Sequence, residues 1–135
     1  MTNYDLKYAR WTGSQWLIQT VDGGAYVYVG EHTSLALDAA DRPHISYGGN
    51  DALKYAHWTG SAWDIQTVDS DGDVGAFTSL ALDGDNHPHI SYYDDANDAL
   101  KYAYRDGNEW VVTTVDSEGL AGQYTSLAML PSGQP

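Results

Sequence analysis

Short words recur along this chain at long and nearly constant intervals. Thr-Ser-Leu-Ala begins at Thr33, Thr78 and Thr125, and Pro-His-Ile-Ser-Tyr begins at Pro43 and Pro88. Leu-Lys-Tyr-Ala begins at Leu6, Leu53 and Leu100, each copy 47 residues after the last. A chain that repeats at this spacing builds one supersecondary unit several times and stacks the copies, because a single unit cannot bury its own apolar face. What the unit contains then decides the fold class.

Each complete unit reads as four short strands. Residues 33–38 (TSLALD) place Thr33, Leu35 and Leu37 on one face and Ser34, Ala36 and Asp38 on the other, as a pleated strand requires. Residues 44–47 (HISY) follow a turn and Pro43, whose missing donor does least harm at a strand entrance. Residues 53–58 (LKYAHW) and 63–69 (WDIQTVD), joined by a tight turn, make a hairpin rich in β-branched and aromatic residues. Residues 6–11 and 16–22 are an earlier copy of that hairpin, with Leu6, Tyr8 and Arg10 facing one way and Lys7, Ala9 and Trp11 the other. Segment 23–32 is two residues longer than its later counterparts. Helix-period apolar stripes are absent, and the fourteen glycines suit short strands joined by turns.

The expectation is therefore an all-β chain of eleven strands in four-stranded antiparallel meanders. A period of 47 residues lies within the roughly 40–50 of propeller blades. The chain divides into a half blade (1–32), two blades (33–77 and 78–124) and the first strand of a further blade (125–135). Small residues on one face of the first strand and leucines on the other suit blades stacked face to face.

Charge and composition narrow the function. Nineteen acidic residues against six basic ones give a net charge of −13, a field that repels nucleic acid and anionic lipid. No apolar stretch approaches the roughly 20 residues of a membrane span, and no basic segment followed by an apolar run opens the chain, so neither membrane insertion nor a signal peptide is expected. The absence of cysteine leaves the compartment open.

The order Ser-Leu-Ala-Leu-Asp, His-Ile-Ser-Tyr, Leu-Lys-Tyr-Ala and a Trp strand resembles the blade grammar of tryptophan-aspartate repeat propellers, without their Gly-His and Trp-Asp signatures. It more closely resembles tandem repeats of secreted or surface bacterial and archaeal proteins that carry Thr-Ser-Leu-Ala-Leu-Asp and Pro-His-Ile-Ser-Tyr. That resemblance implies an extracellular or surface setting and no defined activity. The hairpins WTGSQW, WTGSAW and RDGNEW resemble those of small fucose-binding propeller lectins, which implies a sugar site between blades.

The candidate ligand-binding residues are accordingly Trp11, Trp16, Trp58, Trp63 and Trp110, because an indole face covers the apolar face of a sugar ring. Structural packing of the same tryptophans is the favoured alternative, since blades need large aromatic staples. Asp69, Asp71 and Asp73, alternating at a glycine turn, are the candidate calcium ligands, weighed against a solvated loop. No cofactor other than calcium is suggested. His44 and His89 read as hydrogen-bonded residues at strand entrances, and the repeated lysines as stems laid over apolar surface whose charge offsets some of the acidic excess. Ser34, Ser79 and Ser126 hold the same place in each unit, which marks architecture.

Fewer than three blades cannot close a ring, because propellers need about four or more. The expectation is that the chain meets itself, most simply as a homodimer with six blade positions, with a trimer next. The functional expectation is a non-enzymatic, self-assembling module for binding or display, with the near-identity of the units also fitting an engineered or excised repeat fragment. A multivalent glycan-binding lectin and a sialidase-like glycoside hydrolase are the alternatives. The sialidase pattern Ser-x-Asp-x-Gly-x-Thr-Trp is absent, and near-identical blades favour several equivalent sites over one asymmetric active site.

Overall fold

A computed structural model describes residues 4–135. All regular structure among them is β: ten strands, every paired neighbour antiparallel, in one two-stranded and two four-stranded sheets. The hairpin is β1 (Leu6–Trp11) with β2 (Trp16–Asp22). The first meander runs β3 (Val29–Leu37), β4 (Pro43–Gly49), β5 (Ala52–Trp58), β6 (Trp63–Asp69). The second runs β7 (Val74–Leu82), β8 (Pro88–Asp94), β9 (Ala99–Asp106), β10 (Glu109–Asp116).

Two expectations need correction. The eleventh strand does not form: residues 125–130 carry no ladder, because no second strand lies beside them among the described residues. They still sit where a first strand belongs. Leu130 N–H reaches the Gln134 carbonyl at 2.7 Å, matching the Asp38 to Arg42 bond at 3.0 Å and the Asp83 to His87 bond at 3.1 Å. The first strands also begin earlier than alternation suggests, at Val29 and Val74, with bulges before Ser34 and Ser79 that break the two-residue period.

The three sheets pack through two cores that are translated copies of each other. Leu6 and Val21 of the hairpin meet Val29, Ile45, Tyr47 and Ala56 of the first meander. Leu53, Tyr55 and Val68 of that meander meet Val74, Leu80, Ile90, Tyr92 and Ala103 of the second. Alternation along a strand produces this directly: Leu53 and Tyr55 face forward while Ala56 faces back, so each sheet supplies both halves of a sandwich. Burying each of the valine, leucine and isoleucine side chains among these stabilises by roughly 1.5–3 kcal/mol.

Close approach of the backbones sets one glycine position. Gly75 (φ +99°) lies so near Leu53 that a Cβ would stand 2.8 Å from its Cα, and Gly122 (φ +103°) repeats the contact with Leu100 at 2.7 Å. Only glycine permits both that φ and that distance.

Buried polar clamps tie successive sheets together. Asp22 at the end of β2 accepts bonds from Tyr47 Oη and Lys54 Nζ of the next sheet, both at 2.8 Å. Asp69 at the end of β6 does the same for Tyr92 and Lys101. Burial pushes both carboxyls up, but the lysine and tyrosine bonds outweigh it and leave each below its ordinary value. The tyrosines move the opposite way, through burial first and then the adjacent carboxylate. Lys54 and Lys101 are thus ion-paired with these aspartates, which offsets acidic charge as expected, and their Nζ atoms stand 5.9 and 5.8 Å from the Tyr47 and Tyr92 ring centroids.

Candidate functional site: the groove between the hairpin and the first meander

Alternation in β1 and β2 turns Tyr8, Arg10 and Gln19 toward the first meander, whose opposing face presents Trp58 and Trp63. Between them lies a groove of about 290 Å³, completed by Asp41, Arg42 and Pro43 of the turn after β3. Its volume stands at the small end of ligand pockets, which run from roughly 300 to 1,000 Å³.

The turn is rigid because Asp38 ties it. Its Oδ1 accepts the Ala40 and Arg42 amides at 2.8 and 2.9 Å, and its Oδ2 takes Arg42 Nε at 2.7 Å. Burial raises the Asp38 carboxyl, yet the two amides and the guanidinium outweigh that and hold it far below the usual range. The Arg42 Nη groups make no hydrogen bond among the described residues. Behind the turn, buried His44 contacts Tyr55 through Nδ1 and lies 3.5 Å from Asp38 through Nε2. Burial chiefly lowers the His44 pKa, against the Asp38 contact that raises it; the ring serves the strand entrance, and His89 with Tyr102 repeats the arrangement.

The five tryptophans divide by role. Trp58 and Trp63 are cross-strand neighbours with centroids 5.6 Å apart at 63°, and together they wall the groove. Trp63 also packs edge-on to Tyr8 at 5.6 Å, and its Nε1 is buried without a partner among the described residues. Trp110, the next copy, packs edge-on to Tyr55 at 5.2 Å and donates Nε1 to Gln66 Oε1 at 2.9 Å. It is a staple between sheets. Trp11 and Trp16 form the same pair on the hairpin's far side, where both are exposed.

The groove's arginines were not among the sequence candidates. Arg10 lies two residues beyond Tyr8 on the same face, and that period was the available signal. Its partnership with Arg42 depends on which sheet the hairpin faces.

The candidate calcium residues do not converge. Asp69 turns inward to Tyr92 and Lys101, Asp71 is exposed, and no group of three His, Cys, Asp or Glu suited to a metal occurs among the described residues. Asp73 instead lines a second cleft of about 600 Å³ with Glu31, Asp51, Asp95, His32 and Phe77. Burial raises its carboxyl, and the charges of Asp51, Asp95, Asp94 and Glu31 raise it further.

No family model matches the chain, and no curated protein matches it.

Proposed function

We propose that the chain is a non-enzymatic binding module of the propeller type and that its Trp58–Trp63 groove takes a sugar ring. The observation that carries this reading is the composition of the two walls. Indole surface of the first meander suits the apolar face of a pyranose, while Arg10 and Gln19 of the facing hairpin and Arg42 of the turn at the groove's margin suit its hydroxyls. Titration of saccharides from a glycan array against intrinsic tryptophan fluorescence tests it. Binding lost in a folded Trp58→Ala variant is the expected result; no hit on the array, or unchanged affinity in that variant, overturns it. Chromogenic glycosides, sialosides included, should remain intact, and their turnover would restore the sialidase-like alternative.

A second reading, self-assembly, is favoured by a different observation. Leu35 and Leu37 are 55% and 53% exposed, whereas Leu80, the counterpart of Leu35 in the next unit, is 7% exposed beneath the preceding sheet. A second copy seated on these leucines would bury them and bring the units toward a closed ring, as a dimer with six positions or, next, a trimer. Light scattering after size exclusion should give twice 14.8 kDa for the native chain and 14.8 kDa for Leu35→Glu. A native monomer would end this reading.

A further inference from the structure

The chain carries six basic residues against nineteen acidic ones, and their placement is uneven. Lys54 and Lys101 are consumed by the Asp22 and Asp69 clamps, and Lys7 is bonded to Thr20 beside Asp5. The three arginines all stand between sheets at the tryptophan end. Arg10 and Arg42 line the groove already described. Arg105 pairs across its hairpin with Trp110 in the register that joins Trp58 to Trp63, so it holds the place of Trp58 in the next interface.

These interfaces also contain donors without acceptors. Trp63 Nε1 and Arg105 Nε are buried and unpartnered among the described residues. Arg10 makes no side-chain hydrogen bond or ion pair there, and Arg42 spends only Nε on Asp38. An orphaned buried donor has lost its bonds to water without replacement, so a ligand that supplies acceptors gains against that deficit. Hydroxyls would supply some of them; a carboxylate supplies two oxygens whose spacing matches a guanidinium fork. Asp41 is the one acidic residue on the groove's lining and works against an anion.

From this juxtaposition of the unpaired Arg10 guanidinium, the unbonded Nη groups of Arg42 and indole surface in a strongly acidic chain, we propose that the groove between the hairpin and the first meander binds a carboxylated sugar, with Arg10 and Arg42 receiving the carboxylate while Trp58 covers the ring. This rests on the sugar-ring reading and names its ligand class.

The test compares acids with their own methyl esters, which keep the ring and remove the charge. Trigalacturonate, methyl glucuronide and 3′-sialyllactose would each be titrated against the full chain beside its ester and a neutral panel. At least one acid should bind about tenfold or more tighter than its ester, the factor expected of one charge-assisted contact. Arg10→Gln should erase that preference without unfolding the chain, since Arg10 is exposed, and Arg10→Lys should restore part of it. Asp41→Asn should tighten the acid alone by a few-fold. Its backbone φ of +58° tolerates asparagine, which the next unit uses at Asn86 with φ +66°. Equal binding of acids and esters, or of neutral sugars only, overturns the carboxylate and leaves the sugar site standing. No binding by any saccharide overturns both.

Discussion

Ser34 accepts the backbone N–H of Leu80 at 3.0 Å, and Ser79 accepts that of Leu127 at the same distance. Each bond joins equivalent segments of successive units. The threonine two residues before each amide donor completes the junction: Thr78 donates to the His32 carbonyl at 2.8 Å and shares a hydroxyl contact with Ser46, and Thr125 repeats both with Phe77 and Ser91. The Thr-Ser-Leu-Ala word is thus a hydrogen-bonded seam between units, and it holds residues 125–127 in place without any ladder.

The first prediction concerns that seam. Ser34→Ala leaves the amide of buried Leu80 without an acceptor, which should cost about 1–3 kcal/mol. Urea unfolding should show the loss, and exchange of the Leu80 amide should accelerate more than that of neighbouring ladder amides. Unchanged stability and unchanged exchange would mean that the seam follows packing and adds nothing to it.

The clamps give a comparison within one chain. Asp69→Ala strands Lys101 in the interior with only Asp94 at 3.7 Å, and losing one partner of a buried pair costs about 3–5 kcal/mol. The residual Asp94 contact places the expected loss near 3 kcal/mol. Asp116, the same position one unit later, is exposed and accepts only the Glu118 amide, so Asp116→Ala should stay within about 0.5 kcal/mol. Adding Lys101→Met to Asp69→Ala should recover much of the loss in urea denaturation. Equal effects at the two aspartates would refute the clamp.

The strands, their order and their faces were readable from the words themselves, because Leu-Lys-Tyr-Ala and His-Ile-Ser-Tyr obey the two-residue period. Strand starts at Val29 and Val74 were not, because the bulges that follow them break that period. The site was half readable. Trp58 and Trp63 declare themselves by type and spacing, but Arg10 and Arg42 lie 32 residues apart and join only through the stacking of two sheets. Asp69 misled for the opposite reason: an Asp-Ser-Asp-Gly-Asp run resembles a cation loop, and nothing local reveals a lysine reaching it from 32 residues downstream.

Gly75 supplies the third prediction. A Cβ there meets backbone atoms of Leu53 and cannot move aside as it could from a flexible side chain, and the φ of +99° adds strain. Gly75→Ala should therefore cost more than about 1 kcal/mol, whereas Gly84→Ala, with nothing within 4 Å, should be nearly neutral. Thermal melts of the pair decide it, and matching melting temperatures would show that the sheets separate freely at this point.

The acid response should carry two opposite signs. The Asp83 carboxyl is lowered from 3.8 to about 2: burial raises it, but the His87 and Asp85 amides and the His87 and His89 rings outweigh that. A depressed folded-state pKa stabilises fully above the unfolded value, so this contribution is present above about pH 4 and disappears as pH falls toward 2. Asp73 is raised by burial and by Asp51, Asp95, Asp94 and Glu31, so its ionisation opposes folding once pH rises above the unfolded value. Asp83→Asn should then destabilise the chain at pH 7 and flatten its stability profile between pH 4 and 2. Asp73→Asn should stabilise it at pH 7 and lose that advantage below pH 4. Chemical denaturation at pH 7, 4 and 2.5 separates the two, because a merely structural role for either side chain would shift stability equally at all three.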